Sequence, residues 1–336
     1  MYLMIIYYRI NLLLQKIVNM LIAITGSNGF IGDYLCKYLI NFGYKIRRIQ
    51  REKEKNAFLI NDLKKNNDWR RVLSGVDIVI HCASKVHSFQ NLKKANADYE
   101  SINVLATERI AKEAASLNIK KLIFLSSVKV YGEKTFDKYP FDNNTQFDPK
   151  DEYSKSKCRA ENVLREVSKK YGLKIIIIRI PLVYGPLVGA NFLNFIKLVN
   201  LNIPLPFGNI KNKRSIIYIG NLADFISKCI VSKDALNKSF VVSDSNPVST
   251  VDLVRYVAKG LNKKIIIFKL PLKILKLFGL FTNTKNKINR LIESLEVDPS
   301  ETFKCINWVP PYSTQEGIDL TTNWFKTKKI KKISQK

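Results

Sequence analysis

The sequence predicts an α/β fold, with a doubly wound parallel sheet followed by a smaller C-terminal lobe. Three observations lead to this prediction. A glycine-rich turn at residues 26–32 follows a short apolar run and precedes an amphipathic helical pattern. Further short apolar runs alternate with helical stretches up to residue 180, as in a parallel sheet. After Pro181 the pattern changes to proline- and glycine-containing loops and short amphipathic helices.

The turn after the first predicted strand has the spacing Gly-x-x-Gly-x-x-Gly. Gly26 permits the sharp turn, Gly29 lets the backbone approach a pyrophosphate, and Gly32 lets the helix lie close on the sheet. The N terminus of that helix offers unpaired N–H groups to an anion. The predicted dinucleotide contacts here are Gly26, Asn28, Gly29, Phe30, Ile31 and Gly32. The alternative is a purely structural turn.

The composition narrows the classes of partner. The 336 residues carry a net charge of +28, but the lysines are spread along the chain, so we expect no nucleic-acid surface. The five cysteines form no Cys-x-x-Cys pair, which favours a reduced, cytoplasmic environment. Two histidines, His81 and His87, are too few for a histidine metal cluster, so we expect no metal.

The first nineteen residues are apolar but are interrupted by Arg9, Asn11 and Lys16. This run is too short and too broken to span a bilayer. Met20 stands directly before the first predicted strand. We therefore interpret residues 1–19 as an upstream extension from a mis-called start, with a membrane-surface anchor as the alternative.

The second strand is predicted over Tyr44–Ile49. Folds of this type often place an acidic residue about twenty positions after the glycines, where it binds the adenosine ribose hydroxyl. Gln50 and Arg51 stand there instead, which favours NADP(H) over NAD(H). The alternative is a solvated basic strand end. After a short third strand, Asp62 and Leu63 are candidate contacts for the adenine ring.

Small and polar side chains follow the fourth and fifth predicted strands, Val76–Cys82 and Leu122–Leu125. Ligands of open α/β sheets bind at the carboxyl ends of the strands. The candidate residues there, or on the helix between the two strands, are Ala83, Ser84, Asn103 and Ser127.

A polar loop leads into a long helix that is predicted to end near Tyr171. Tyr153 and Lys157 are four residues apart, so they share one face of this helix. Leu173–Ile180 is apolar and β-branched, as expected of a strand buried on both faces.

The predicted organisation has four parts. Residues 1–19 are the extension, residues 20–180 the dinucleotide-binding domain, residues 181–215 and 244–325 the substrate lobe, and residues 326–336 a disordered basic tail. Residues 216–243 are expected to return to the main sheet. Ile265–Phe281, with its interspersed lysines, is expected to pack on the substrate lobe, with a membrane-surface helix as the alternative.

Together these motifs resemble the extended short-chain dehydrogenase/reductase family, and within it the NAD-dependent epimerases and dehydratases that act on nucleotide sugars. The motifs are Thr25–Gly32, Asp62-Leu63, His81–Ser84, Ser126–Gly132, and Tyr153 with Lys157. The resemblance covers residues 20–325. It implies a Rossmann-type domain that binds NAD(P), a catalytic set of Ser127, Tyr153 and Lys157, and a homodimer through residues 96–117 and 153–171.

The substrate contacts are also carried over from this resemblance. Arg179–Pro186 is similar to the segment after strand six in nucleotide-sugar enzymes, and Pro181 within it is a further implied cofactor contact. The implied substrate contacts are His87, Ser127, Asn191 and Arg214. A guanidinium at Arg214 suits the UDP pyrophosphate, because it can bind two phosphate oxygens at once; the alternative is a surface charge.

Three functions follow as hypotheses. The first is a 4-keto reductase of a UDP-sugar in O-antigen synthesis, forming UDP-N-acetylquinovosamine or a similar product. The second is a UDP-hexose 4-epimerase, and the third a non-catalytic NAD(P)-binding regulator. Lys157, together with a cationic nicotinamide, is expected to lower the pKa of Tyr153. Family dehydratases carry Asp-Glu after the catalytic hydroxyl, so Val128-Lys129 argues against dehydration.

Overall fold

The structure is a computed structural model that describes residues 19–51, 57–60, 63–64, 68–86, 92–136, 138–282 and 284–333. The predicted N-terminal extension therefore lies, except for Asn19, outside the described residues. The chain divides into two compact units. The first contains residues 1–130, 147–179 and 226–240, and the second contains residues 131–146, 180–225 and 241–336.

Nine strands form two sheets in the described part of the chain. They are β1 (Leu21–Thr25), β2 (Lys45–Gln50), β3 (Ala57–Leu59), β4 (Ile78–His81), β5 (Lys121–Ser127), β6 (Ile175–Ile180), β7 (Leu182–Tyr184), β8 (Ile216–Tyr218) and β9 (Lys238–Val241). The large sheet has the order β3-β2-β1-β4-β5-β6-β9, and β7 pairs with β8 in a sheet of its own. The predicted α/β fold class is confirmed.

The parallel register of the large sheet positions the candidate site. β1 pairs in parallel with β2 and β4, and β4 pairs in parallel with β5. The carboxyl ends of these strands therefore lie along one edge of the sheet. All four residues of β4 are buried, as are the first five of β6, which explains why both strands are continuous apolar runs in the sequence.

Helices connect these strands. They are α1 (Phe30–Asn41), α2 (Trp69–Leu73), α3 (Leu92–Tyr99), α4 (Ala106–Ser116), α5 (Glu152–Tyr171), α6 (Ala190–Asn200), α7 (Ile219–Val231), α8 (Thr250–Gly260), α9 (Leu272–Phe281), α10 (Lys285–Ile292), α11 (Ser300–Ile306) and α12 (Thr314–Ile333). A π-helical turn, Glu100–Leu105, joins α3 to α4. α5 begins with a capping box between Asp151 and Ser154 and ends at Gly172 in the left-handed region.

The expected return of residues 216–243 to the main sheet is wrong for Ile216–Tyr218. β8 pairs in parallel with β7 over its three residues. The position beside β6 is taken by β9, and the N–H of Asn237, just before β9, donates to the carbonyl of Ile175 at 2.7 Å. Since β9 fills that edge of β6, the return to the large sheet occurs at Lys238–Val241.

Residues 131–146 group with the second unit, although the sequence places them inside the first domain. Thr135 donates its N–H to Ser294 at 2.9 Å, and Phe141 donates its N–H to Glu296 at 2.9 Å. Asp298 in turn donates to the carbonyl of Phe141. These backbone bonds hold the polar loop against residues 294–298, a pairing between distant segments that no local pattern indicates.

The basic tail is not disordered where the structure describes it. α12 continues to Ile333, so the lysines from Lys326 onward extend a helix that starts at Thr314. Lysine is a good helix former, and this helix is already nucleated by its packing on α8. Within the described ranges, no helix combines the length and the apolar character needed to cross a bilayer.

Candidate active site

The glycine turn between β1 and α1 has the shape of a phosphate cradle. Gly26 has a φ of +67°, and a Cβ there would lie 2.9 Å from the backbone of Ala83. A Cβ at Gly32 would lie 2.2 Å from the carbonyl oxygen of Gly26. Among the described residues no side chain caps the N terminus of α1. The first N–H groups of this helix are therefore available to an anion, and the turn fits a dinucleotide.

A series of buried side-chain hydrogen bonds lies next to this turn. The Oγ1 of Thr25 lies 2.6 Å from Nδ1 of His81, whose Nε2 lies 3.0 Å from the Oγ1 of Thr107. The N–H of Ala83 donates to Thr25 at 3.2 Å. Burial lowers the pKa of His81 to about 3, so its ring is neutral. These bonds tie β1, β4 and α4 together at the cofactor edge.

Asn103 holds the loop that follows β4. Its Oδ1 accepts from Ser84 Oγ at 3.1 Å and from the Lys85 N–H at 2.8 Å. Its Nδ2 donates to the Lys85 carbonyl at 3.1 Å and to Ser156 Oγ at 2.9 Å. The π-helical turn places this amide inward, and such turns often mark functional sites. We therefore expect Asn103 to act on the cofactor through the loop it positions.

Ser127, Tyr153 and Lys157 meet at the carboxyl end of β5. Ser127 is the last residue of β5 and hydrogen-bonds Tyr153, which lies in the first turn of α5. Lys129 donates its N–H to Ser127 Oγ at 3.2 Å and forms an ion pair with Asp151 at 2.7 Å. Because Asp151 caps α5, this pair ties the segment after β5 to the start of the helix that carries Tyr153.

The surroundings that the protein itself provides raise the pKa of Tyr153, whereas the expected lowering depends on Lys157 together with a cationic nicotinamide. The pKa of Tyr153 is raised to about 12, chiefly by burial; the hydrogen bond from Ser127 acts in the opposite direction, and the nearby Asp151 and Tyr99 add to the rise. The Nζ of Lys157, one helical turn away, donates to the carbonyl of Leu125 at 2.7 Å. Tyr153 thus holds its proton firmly until ligands change its surroundings.

Lys157 is itself strongly perturbed. Its side chain is buried, and its Nζ lies 4.5 Å above the ring centre of Phe124. Burial lowers the pKa of Lys157 to about 7, while Cys82 and Glu161 raise it. A buried lysine whose pKa is lowered in this way, beside a partly buried tyrosine, is typical of an active site.

A buried ion pair behind this trio escaped the sequence analysis. Glu161 accepts from Ser126 Oγ at 2.6 Å, and its Oε2 accepts from Arg179 at 2.7 Å. Both members of the ion pair are almost fully buried. Arg165 adds a third bond to Glu161 at 3.0 Å. The sequence shows only that Glu161 follows Lys157 by one helical turn. Its partners Ser126 and Arg179 come from two different strands, so the sequence does not reveal this ion pair.

The end of β2 carries four polar residues, Arg47, Arg48, Gln50 and Arg51, and the first three bond to other parts of the protein. Arg47 donates to the carbonyls of Val72 at 2.9 Å and Ser74 at 2.6 Å. Gln50 is buried and accepts from Ser27 Oγ at 3.0 Å. Arg48 bonds the carbonyl of Ser27 and pairs with Asp33. Arg51 is exposed. The position that often carries an acid therefore holds a neutral amide, with the exposed Arg51 next to it.

The remaining predicted contacts fall elsewhere. Asp62 and His87 lie outside the described residues, and Leu63 is buried in the core of the first unit. In the second unit, Asn191 is exposed in the first turn of α6. Pro181, between β6 and β7, is buried.

Arg214, also in the second unit, bonds backbone carbonyls at the end of α10. Its Nη1 donates to Arg290 at 2.8 Å and to Glu293 at 3.0 Å. Burial lowers the pKa of Arg214, the nearby Arg290 lowers it further, and Glu293 raises it. A partly buried guanidinium is thus held in place by two backbone carbonyl groups.

Within the described residues, His, Cys, Asp and Glu side chains form no group of three that could hold a metal ion. The sheet order, the glycine turn and the Ser-Tyr-Lys set define an extended short-chain dehydrogenase/reductase. The model of the NAD dependent epimerase/dehydratase family matches residues 22–243, more than half of the chain. This protein therefore belongs to the NAD-dependent epimerase/dehydratase family, and the resemblance found in the sequence is confirmed.

Relatives of known name extend this assignment. The chain is 36% identical over 311 residues to a UDP-glucose 4-epimerase of Vibrio cholerae, covering 90% of this chain and 95% of that protein. It is 26% identical over 322 residues to an N-acetyl-α-D-glucosaminyl-diphospho-ditrans,octacis-undecaprenol 4-epimerase of Escherichia coli O157:H7, covering 90% and 94%.

Solved structures show the same fold. The UDP-glucose 4-epimerase of Thermotoga maritima with UDP-glucose superposes with a TM-score of 0.74 at 18% identity, over 92% of this chain and 99% of that chain. The UDP-glucuronic acid 4-epimerase of Bacillus cereus in complex with NAD gives 0.73 at 20% identity, also over 92% and 99%.

Proposed function

We propose that this protein is an NAD(P)-dependent 4-epimerase of a UDP-linked hexose. The observation that carries the proposal is the meeting of Ser127, Tyr153 and Lys157 at the sheet edge that also bears the glycine turn. The names of the Vibrio and Escherichia relatives support 4-epimerisation. This order reverses the sequence-based one, which puts 4-keto reduction first.

The chemistry follows from the positions of three side chains. A bound nicotinamide supplies the acceptor and donor of hydride at C-4 of the sugar. With hydride removed from C-4, uptake of the 4-hydroxyl proton by Tyr153 would leave a 4-keto sugar. Once the ketone has turned over and hydride has returned to its other face, Tyr153 would give the proton back to the 4-oxygen of the epimer. Ser127 donates a hydrogen bond to the same sugar oxygen and fixes it against Tyr153. Protonated Lys157 favours the phenolate of Tyr153.

The pKa values set a requirement for this cycle. Tyr153 starts with a pKa of about 12, so it is a poor base near neutral pH until binding lowers that pKa. A positive charge brought close to the phenol on binding has this effect. Lys157, with a pKa of about 7, is protonated in part at neutral pH and contributes in the same direction.

A 4-keto reductase is the second candidate, and one observation favours it. Gln50 and Arg51 leave no carboxylate to repel the 2′-phosphate of NADPH. A reductase exchanges its cofactor in every turnover, whereas an epimerase regenerates it in place. Leu182 also stands where many 4-epimerases carry Asn, and it is exposed. The substrate would be a 4-keto sugar, which takes up one hydride and one proton to become the 4-hydroxy product.

One assay separates the candidates. Purified protein is incubated with UDP-glucose or UDP-N-acetylglucosamine, and the 4-epimers are resolved by chromatography while nicotinamide absorbance is followed. Interconversion without net absorbance change supports the epimerase. Stoichiometric NADPH oxidation with a UDP-linked 4-keto-6-deoxy-N-acetylhexosamine, and no interconversion, overturns it in favour of the reductase. If the protein is folded and binds cofactor but catalyses neither reaction, the epimerase proposal is wrong and the non-catalytic regulator is favoured.

The glycine turn yields a prediction with a matched control. Gly26→Ala is expected to weaken NAD binding by about tenfold or more, because the new Cβ pushes the turn away from Ala83 and misplaces the cradle. Gly75→Ala imposes the same left-handed strain at φ +71°, but its Cβ meets nothing within 4 Å. Isothermal titration with NAD measures both variants. Equal affinity in the two would contradict a cofactor role for the turn.

Arg51 yields a prediction on cofactor choice. Arg51→Glu is expected to lower the NADPH to NADH preference by about tenfold or more, because a carboxylate repels the 2′-phosphate that the guanidinium attracts. Lys169→Glu makes the same charge change at an exposed position near the end of α5. Fluorescence titration with each nucleotide gives the ratio. If both variants shift it equally, the preference reflects net charge and not this position.

We also propose that Asn191 and Arg214 bind the UDP moiety, and that the protein is a homodimer in which α4 and α5 of each subunit form the interface. The undecaprenol-linked substrate in the name of the Escherichia relative supports a place in lipopolysaccharide precursor synthesis. These assignments rest on the family resemblance.

A further inference from the structure

α9, in the second unit, exposes an apolar stripe. Only Leu275 and Gly279 of this helix are buried, while Phe278 is 62% and Phe281 82% exposed. The sequence predicts that this segment packs on the substrate lobe. In the structure only the narrow face with Leu275 and Gly279 is packed, and the rest of the helix surface is exposed. Ile274, Leu277, Phe278 and Phe281 follow the spacing of a single helix face, and all four are exposed.

The exposed apolar surface continues into the segment before α9. Ile266 and Phe268 are exposed, and the backbone between them pairs with Leu205 in a short ladder. This pairing fixes the backbone of the segment, and the side chains of Ile266 and Phe268 remain exposed to solvent. Clustered apolar exposure of this kind marks an interaction surface.

The charge around the stripe identifies its partner. Residues 253–292 contain eight lysines and two arginines and no aspartate or glutamate. Lys269, Lys273 and Lys276 are exposed beside the apolar residues. An apolar stripe flanked by lysines is the pattern of a helix that lies in the interface of a membrane with anionic lipids. A second copy of the chain would bring an equal excess of positive charge to the same face, which disfavours self-association.

We propose that α9 and the segment before it dock onto an anionic lipid bilayer, with the stripe (Ile274, Leu277, Phe278 and Phe281) in the interface and the lysines on the headgroups. Ten residues of helix measure about 15 Å, so the helix lies along the surface. Burying one stripe and pairing several lysines gives reversible binding that falls as salt rises.

The test is co-sedimentation of the full-length protein with lipid vesicles. We expect binding to phosphatidylcholine vesicles that contain phosphatidylglycerol. Binding to pure phosphatidylcholine vesicles should be weaker by about tenfold or more. Lys273→Glu with Lys276→Glu is expected to reduce binding to the anionic vesicles by about tenfold or more. Phe278→Ser with Phe281→Ser is expected to do the same, because both rings leave the interface.

Matched controls separate the surface from general effects. Lys169→Glu with Lys228→Glu makes the same charge change at exposed positions of the first unit, and Phe136→Ser removes another exposed ring from the second unit. Both controls should bind as the unaltered protein does. Equal binding to neutral and anionic vesicles, or unchanged binding by the α9 variants, overturns the proposal. A dimer that the phenylalanine variant dissociates, without vesicle binding by either protein, also overturns it.

Discussion

Tyr153→Phe is expected to lower kcat by about 10²–10⁴-fold, the range that a positioned general acid–base contributes. The variant removes only the phenolic oxygen, which hydrogen-bonds Ser127. The ring is kept, and with it the packing against Tyr99, whose ring centre lies 6.3 Å away. We therefore expect loss of turnover with little change in the unfolding temperature.

The matched control is Tyr171→Phe, at the last residue of α5. It deletes the same hydroxyl from the same helix, but its side chain is exposed. Epimer interconversion and, separately, NAD binding are measured for both variants. We expect normal turnover in the control and normal NAD binding within a few-fold in both. If the Tyr153→Phe variant turns over at the rate of the unaltered protein, Tyr153 is not the general acid–base catalyst.

Glu161→Ala is expected to lower the free energy of unfolding by about 3–5 kcal/mol, the usual cost of removing one partner of a buried ion pair. Arg179 is almost fully buried and bonds both oxygens of Glu161. Without the carboxylate its charge has lost its closest counter-ion. Ser126, beside Ser127, loses its acceptor as well.

Urea denaturation measures this loss. Glu166→Ala, on the exposed face of the same helix, should change stability by less than about 0.5 kcal/mol. Adding Arg179→Met to Glu161→Ala should recover part of the loss, because it removes the uncompensated charge. If Glu161→Ala is no more destabilising than Glu166→Ala, the ion pair does not stabilise the fold as argued.

The elements that the sequence predicts correctly are those with local causes. The glycine turn, the strand β4 and the helix from Glu152 to Tyr171 each follow from the residues inside them. The capping residue Asp151 and the left-handed Gly172 mark the ends of that helix in the sequence. The position of Tyr153 and Lys157 on one helix face is likewise set by spacing alone.

Where the sequence fails, the cause is a contact between distant segments. Ile216–Tyr218 has the residue pattern of a strand, but the sequence does not say which strand it pairs with. In the structure β9 occupies the edge of the large sheet beside β6, and Ile216–Tyr218 pairs with β7 instead. The pKa of Tyr153 depends on its burial and on the hydrogen bond from Ser127. Neither can be read from spacing.

The sequence by itself determined the family, the cofactor-binding turn and the three residues proposed to carry catalysis, because each is encoded in a short motif. The tertiary structure decided the rest. It buried Glu161 against Arg179, turned Asn103 into a support for the loop after β4, and left Phe278 and Phe281 in solvent. Burial is a sum over neighbours from the whole chain, so the charge states and exposed faces that follow from it appear only when the chain is folded.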